Sequence, residues 1–143
     1  MKATKINEMK FTLPALSVNE GVARTVVGAF CAQLNPTVEE IADLKCAVSE
    51  AVTNAIVHAY RGEGGIIYIS VSLHSDRSIT ISVRDRGCGI PDVALARQPL
   101  YTTNTDGERS GMGFSVMETF TDRLTVKSTP GVGTRVMMRK RLQ

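Results

Sequence analysis

Residues 49–58 read SEAVTNAIVH, so that three polar side chains recur at four-residue intervals within an apolar helical pattern. At about 100° per residue, Glu50, Asn54 and His58 fall on an arc of roughly 80°. The apolar residues of the opposite side are Val48, Val52, Ala55, Ile56 and Ala59. A buried carboxylate or amide without a partner is costly, so the stripe indicates either a solvent-facing surface or a binding site.

The three polar residues of this helix suit different roles if they face a ligand. The amide oxygen of Asn54 can coordinate Mg²⁺, which prefers oxygen ligands and leaves other positions to phosphates and water. Glu50, one turn away, can orient or deprotonate an attacking hydroxyl. For His58, a structural hydrogen bond near the helix end and a ligand contact are equally open interpretations.

A second block, Asp85-Arg86-Gly87-Cys88-Gly89, begins where an alternating strand pattern ends. A carboxylate at Asp85 can accept a hydrogen bond from the exocyclic amine of adenine. Gly87 and Gly89 allow the backbone to approach a flat ring closely and to adopt positive φ angles. In isolation, the same pattern is also typical of a simple turn.

A third block, Arg109-Ser110-Gly111-Met112-Gly113, stands directly before an apolar helical segment at 114–120. Amides at a helix N-terminus beside glycines favour phosphate oxygens, and Arg109 adds positive charge there. The block fits neither the GxxxxGK[ST] nor the GxGxxG pattern. It follows a long polar loop at 91–109, which is uncommon in a compact domain and can close as a lid over a nucleotide.

Periodicity outside these blocks predicts the remaining elements and the fold class. Strands are expected at 9–16, 67–73, 79–83, 124–127 and 134–138, and helices at 18–35, 38–60 and 113–120. Capping-box patterns at 17–20 and 37–40 start the first two helices. The first helix is expected to turn one side inward: Val22, Val26, Val27, Phe30 and Leu34. This order predicts an α+β two-layer sandwich with one mixed, mainly antiparallel sheet and helices on one face.

Composition predicts a single domain over residues 1–143. Hydrophobic residues make up 43% and charged residues 22% of the chain, which is ordinary for a soluble globular protein. Neither a membrane-spanning stretch nor a signal-peptide pattern occurs, so a cytoplasmic location is expected. Cys31, Cys46 and Cys88 lack a CxxC pair, which argues against a disulfide framework and a zinc site. We expect the first two of these cysteines to be buried, and the basic tail at 135–141 to be a solvated face.

Together, the three blocks resemble the motifs of the GHKL ATPase and kinase superfamily, which includes gyrase, histidine kinases and MutL. The helix pattern is similar to its N-box, Asp85-x-Gly87-x-Gly89 to its first glycine box, and Gly111-x-Gly113 to its second. Segments 49–56, 98–103 and 108–114 further resemble one branch, the anti-sigma factor serine kinases of endospore-forming bacteria. This resemblance extends over nearly the whole chain.

The resemblance implies a Bergerat-type ATP-binding fold and a homodimer that binds an RNA polymerase sigma factor and keeps it from the polymerase. It also implies phosphorylation of a serine on an anti-anti-sigma factor, with ATP, ADP and Mg²⁺ as the ligands. The short chain and the close match to this branch imply a sporulation sigma factor and not a stress-response one. Neither direct nucleic-acid binding nor membrane binding is expected.

The same resemblance assigns roles to individual residues. Glu50 would be the general base, Asn54 the Mg²⁺ ligand and Asp85 the adenine reader. The other expected ATP-binding residues, of which Thr102 and Thr103 belong to the lid, are His58, Gly87, Gly89, Thr102, Thr103, Arg109, Ser110, Gly111, Met112, Gly113 and Thr134. Arg24, on the first helix, is similar to the family's docking arginine for both protein partners.

Three functions are compatible with these patterns: a serine kinase that also inhibits a sigma factor, a nucleotide-gated sigma-binding module without phosphotransfer, and the catalytic domain of a sensor histidine kinase. The third is disfavoured because neither His58 nor His74 lies in a separate dimerisation helix pair. Glu50 favours the first, since a binding module has no use for a carboxylate one turn from the metal ligand.

Overall fold

The computed structural model describes residues 2–98 and 113–143, which form nine helices and strands of regular structure. In chain order these are β1 (Lys5–Pro14), α1 (Val18–Cys31), α2 (Val38–Asn54), β2 (Ile66–His74), β3 (Ser78–Asp85), α3 (Val93–Ala96), α4 (Gly113–Phe120), β4 (Arg123–Thr129) and β5 (Gly133–Arg141). A 3-10 turn at Ala32–Leu34 extends α1, and a π-helical turn at Ala55–Ala59 extends α2. Every predicted helix and strand is present; α4 has the predicted ends, and the ends of the others are shifted.

The five strands form one sheet in the order β1-β2-β3-β5-β4. All four pairings among these strands are antiparallel, so the α+β class is confirmed and the prediction of a mixed sheet is wrong. Tight hairpins join β2 to β3 and β4 to β5, and connections this short dictate antiparallel neighbours. β5 also pairs with β3 in the antiparallel direction.

The helices cover one face of the sheet and enclose the core. The inward residues of β2 follow strict alternation, from Ile67 to Leu73, and are at most 2% exposed. On α1, the predicted inward side is confirmed for Val27, Phe30 and Leu34 and is wrong for Val22, which is 44% exposed. Ala23 and Cys31 are also inside. Small residues on this helix let it pack closely against α2, and the larger valine is left at the margin.

The two predicted capping boxes have different outcomes. At Thr37, the side chain accepts from the Glu40 amide at 3.1 Å, and the Glu40 carboxylate accepts from the Thr37 amide at 2.9 Å, which confirms the box. At Ser17, no side-chain cap forms, so that prediction is wrong. Ser17 has a helical φ of −55° and ψ of −35°, whereas a capping side chain requires an extended backbone.

Two of the three cysteines have suppressed thiol acidity. Cys31 is fully buried, and this burial raises its pKa to about 12. Cys46 is partly exposed, contrary to expectation. Burial, followed by the negative charges of Glu50 and Asp43, raises the pKa of Cys46. Within residues 2–98 and 113–143, no helix has the length and apolar character needed to cross a membrane.

Candidate active site

A cavity of about 370 Å³ opens where the end of α2, the end of β3, α3, the start of α4 and the start of β5 converge. The predicted site residues that line it are Asn54, His58, Asp85, Gly89, Gly113 and Thr134. These residues lie up to 80 positions apart in the chain, so the fold brings parts of all three sequence blocks to one place. Its volume falls within the range of small-molecule sites.

One end of the cavity is built around the carboxyl group of Asp85, the last residue of β3. Its side chain is 7% exposed, and its Oδ1 accepts hydrogen bonds from the backbone amides of Gly87 at 2.9 Å and Thr134 at 3.2 Å. Burial raises the pKa of Asp85, while the two amide donors oppose this rise. The carboxylate is therefore held in place with one oxygen oriented by the backbone.

Glycines let the loop after Asp85 pack directly against the end of α2. A Cβ placed on Gly87 would lie 2.4 Å from the carbonyl oxygen of Ala59, a separation that no side chain tolerates. The next amide, that of Cys88, donates to this same oxygen at 3.0 Å. Gly89 has a φ of +76°, which favours glycine. Gly87 therefore serves close packing against α2 and Gly89 a positive φ, while the predicted close approach of this loop to a flat ring stays a prediction.

The hairpin between β4 and β5 forms another wall of this end. The hydroxyls of Thr134 and Ser128 are 2.8 Å apart, and the Ser128 hydroxyl also accepts from the Ile90 amide at 2.7 Å. The backbone of Gly133 lies so close to that of Asp85 that a Cβ at position 133 would be 2.2 Å from the Asp85 carbonyl oxygen. Strands β3 and β5 and the loop after Gly89 are thereby fixed around one carboxylate.

The other end of the cavity lies where α4 begins beside α2. A Cβ placed on Gly113 would be 3.2 Å from Oδ1 of Asn54 and 3.4 Å from Oε2 of Glu50. Glu50 and Asn54 therefore face the first residue of α4, and His58 lines the cavity further along the helix. This arrangement favours the binding-site interpretation of the stripe. A side chain at position 113 would intrude on both polar groups.

A π-helical turn, Ala55–Ala59, follows Asn54 directly and was not predicted. The Tyr60 amide donates to the Ala55 carbonyl oxygen at 3.0 Å across five residues. Such turns occur frequently at functional sites. Here the wider turn keeps His58 on the cavity wall and brings the Ala59 carbonyl to the glycine loop.

Sequence reasoning missed several residues that shape the cavity. Its apolar wall includes Ala51, Val83, Ile90, Leu95, Phe114 and Val136. Arg61 and Asp92 add charged groups to the rim. The hydroxyl of Tyr60 donates to the Ile66 carbonyl at 2.6 Å and accepts from the Arg86 amide at 2.7 Å. It therefore links the end of the π-helical turn to the start of β2 and to the residue after β3. Aliphatic residues next to a motif give no sequence signal that distinguishes a cavity wall from ordinary core.

The remaining predicted site residues fall in two groups. Thr102, Thr103, Arg109, Ser110, Gly111 and Met112 lie outside the described residues. Arg24 is described, but it does not line the cavity. It lies on the exposed side of α1 and pairs with Glu20 at 3.7 Å, one helical turn away. Within the described part of the chain, no group of three histidine, cysteine or acidic side chains is arranged to hold a metal ion.

Comparison with known proteins shows which family this chain is similar to. Residues 13–140 match the family described as the histidine kinase-like ATPase domain. An anti-sigma F factor from Caldanaerobacter subterraneus subsp. tengcongensis is 57% identical over 140 residues, covering 98% of this chain and 96% of the relative. An anti-sigma F factor from Bacillus licheniformis is 51% identical over 137 residues, covering 95% of this chain and 93% of the relative.

The chain belongs to the anti-sigma F factor family. It is built on a histidine kinase-like ATPase domain, so it has a nucleotide-binding, kinase-type fold. A solved structure of the RsbU and RsbW domains of Rv1364c from Mycobacterium tuberculosis has the same fold, with a TM-score of 0.69 at 22% identity, and covers 95% of this chain and 32% of that one. The resemblance inferred from the sequence blocks is confirmed.

Proposed function

We propose that this protein is an ATP-dependent protein serine kinase that phosphorylates an anti-anti-sigma factor and, in a separate activity, binds and inhibits a sporulation sigma factor. The family assignment supports an anti-sigma role and a kinase-type domain. The serine specificity and the identity of both partners are part of the proposal.

The arrangement of Glu50 and Asn54 against Gly113 is the observation that carries the kinase proposal. At the opposite end of the same cavity, Asp85 offers a fixed carboxylate oxygen that suits the exocyclic amine of adenine. A nucleotide with its base at Asp85 would extend its phosphates toward the start of α4, where amides at a helix N-terminus favour anions. Glu50 would then lie beside the terminal phosphate, where an attacking hydroxyl must be positioned.

In this arrangement, Glu50 supplies the proton acceptor for the transfer. The serine oxygen forms a bond to the γ-phosphorus while the bond from phosphorus to the bridging oxygen breaks, and ADP leaves. Glu50 takes the proton of the serine hydroxyl as the new bond forms. General base catalysis of this kind contributes about 10²- to 10⁴-fold to the rate.

The donor set near the phosphates suits Mg²⁺. This ion keeps several waters and takes one or two protein ligands together with phosphate oxygens, so the amide oxygen of Asn54 is an adequate protein contribution. The ion would neutralise charge on the phosphates. Because three-residue clusters of metal ligands do not occur in the described segments, binding of Mg²⁺ would depend on the nucleotide being present.

The partner surfaces are proposed separately from the cavity. Arg24 is exposed on α1, and Leu16, Val18 and Val22, at and just before the first turns of the same helix, are also exposed. A charged side chain among exposed apolar residues suits a protein-binding surface, so we assign it to sigma factor and anti-anti-sigma factor binding. The edge strand β1 leaves unpaired backbone groups, which suits assembly of a homodimer.

The decisive experiment is a phosphotransfer assay with γ-labelled ATP, Mg²⁺ and a candidate anti-anti-sigma factor. We expect label on serine, and Glu50→Gln should reduce its rate by about 10²- to 10⁴-fold while ATP binding stays within about twofold. Glu39→Gln is the matched control, because it makes the same change on an exposed first-turn position of the same helix. Asn54→Ala should instead weaken Mg²⁺-dependent ATP binding.

Two results would contradict the kinase proposal. If the wild-type protein binds ATP tightly but transfers no label, the chain is a nucleotide-gated sigma-binding module. If Glu50→Gln abolishes ATP binding together with transfer, the carboxylate supports the cavity and is not the base.

A further inference from the structure

The face of the sheet that lies away from the helices carries a concentration of positive charge that the kinase site does not use. In the register of the sheet, Arg84 on β3 is opposite Arg135 on β5, and Arg135 is opposite Lys127 on β4. All three side chains are exposed. Three neighbouring strands therefore place cations side by side in one row, which we call the cationic row.

Stability does not explain the cationic row. Like charges directly opposite on adjacent strands are destabilising. Among residues 2–98 and 113–143, six ion pairs form, and none involves Arg84, Arg135 or Lys127. Among the described residues, no carboxylate pairs with the row to offset this repulsion, which is the arrangement expected where an external anion binds.

The surroundings of the row favour carboxylate groups as that anion. Tyr68, opposite Arg84 on β2, has the guanidinium groups of Arg84 and Arg86 over its ring at 4.6 Å and 5.0 Å. This stacking holds the two planar groups in place, and fixed guanidinium groups bind carboxylates in a bidentate manner. A shallow depression of about 580 Å³ next to them is lined by Lys10 and by serine and threonine hydroxyls.

We propose that this face binds an acidic segment of a partner protein, with aspartate or glutamate side chains lying across the cationic row. A second copy of this chain is a poor occupant, because two such faces would repel each other. Single-stranded nucleic acid is disfavoured because base stacking needs an open aromatic face, and guanidinium groups already lie over the Tyr68 ring. The surface is on the opposite side of the sheet from the ATP cavity, so the proposal does not depend on phosphotransfer.

The test measures binding of a fluorescent synthetic peptide of alternating glutamate and glycine to the full chain, by anisotropy at low salt. A peptide with glutamine in place of glutamate is the uncharged control. Arg84→Gln/Arg135→Gln should weaken binding of the acidic peptide about fivefold, from the loss of two exposed ion pairs. Lys2→Gln/Lys45→Gln removes the same charge from the N-terminus and from α2 and should leave binding nearly unchanged. Affinity should also fall as salt increases.

Several outcomes would overturn the proposal. Equal weakening by both double variants would show a general effect of net charge. Tighter binding of a single-stranded oligonucleotide than of the acidic peptide, lost in Arg84→Gln/Arg135→Gln, would assign the face to nucleic acid. A change of oligomeric state in that variant would assign it to a second copy. If the double variant does not fold, Lys127→Gln provides the same comparison, and unchanged peptide binding there also refutes the proposal.

Discussion

The two ends of the cavity are constructed in different ways. At the Asp85 end, backbone amides orient a single carboxylate, and glycines allow three chain segments to approach within contact of one another. At the Glu50 end, one helix presents its side chains toward the start of α4. The first end therefore depends on backbone geometry, whereas the second depends on side chains that can be exchanged with little effect on the fold.

Of the substitutions considered, Gly87→Ala should have the largest effect on stability and ATP binding. It separates the glycine loop from the end of α2, and both ends of the cavity depend on that contact. The added methyl group would lie 2.4 Å from the Ala59 carbonyl oxygen and would force the glycine loop away from α2. We expect a loss of about 3 kcal/mol in the free energy of unfolding and weak ATP binding, measured by denaturant unfolding and nucleotide titration. Gly21→Ala, whose methyl group has room in α1, should be neutral or stabilising by up to about 1 kcal/mol. Equal stability of the two variants would contradict the importance of this close approach.

Asp85→Asn should affect ATP binding only at the Asp85 end of the cavity, where we propose that adenine lies. The amide retains the size of the carboxylate but loses its charge, and a hydrogen bond to a charged group is worth about 2 kcal/mol, so ATP affinity should fall about 30-fold. Isothermal titration would measure this loss. Asp92→Asn changes another aspartate of the cavity wall at the N-cap of α3, where asparagine caps equally well. If both variants bind ATP with wild-type affinity, Asp85 does not read the base.

The pH dependence of ATP binding provides a second test of the base-reading role of Asp85. Burial raises the pKa of Asp85, so on acidification the carboxylate gains its proton at a higher pH than an exposed aspartate does. ATP affinity should fall in this range, and the fall should disappear in Asp85→Asn. The fold itself should show the opposite trend: Asp85 stabilises it most below the pKa of the unfolded chain, and this contribution is lost as the pH rises through the raised folded pKa. Parallel trends in binding and stability would indicate a different titrating group.

The difference between the two ends of the cavity also explains which features of the site could be predicted from the sequence. Side chains on a regular helix follow a fixed period, so the spacing of Glu50 and Asn54 was enough to place them on one face. The strand end at Asp85 followed from the alternation of Ile79, Ile81 and Val83. These assignments rest on local periodicity, which tertiary packing rarely overturns in long, regular elements.

Features that depend on tertiary contacts could not be predicted in the same way. The capping-box patterns at Ser17 and Thr37 look alike, but the chain enters α1 through a turn in which the Asn19 amide donates to the Leu16 carbonyl at 2.8 Å. That turn gives Ser17 a helical conformation and removes its capping role. The π-helical turn after Asn54 likewise depends on the contact between Ala59 and the glycine loop, which lies about 30 residues further along the chain.

The smallest expected effect concerns Cys88, whose Sγ lies 3.4 Å from the carbonyl oxygens of both His58 and Gly89, so that its single S–H can donate to either. Cys88 lines the cavity and is partly exposed. Cys31 is fully buried, and burial raises the pKa of the Cys46 thiol, which lowers its fraction of reactive thiolate. Iodoacetamide should therefore modify Cys88 first, as judged by peptide mass spectrometry, and ATP with Mg²⁺ should slow that reaction. Cys88→Ser should change ATP affinity by less than about threefold, since a weak S–H hydrogen bond is replaced by a similar O–H one. If nucleotide gives no protection, ATP does not cover the glycine-loop end of the cavity, and the base-reading role of Asp85 would have to be abandoned. First modification at Cys46 would contradict only the predicted order of thiol reactivity.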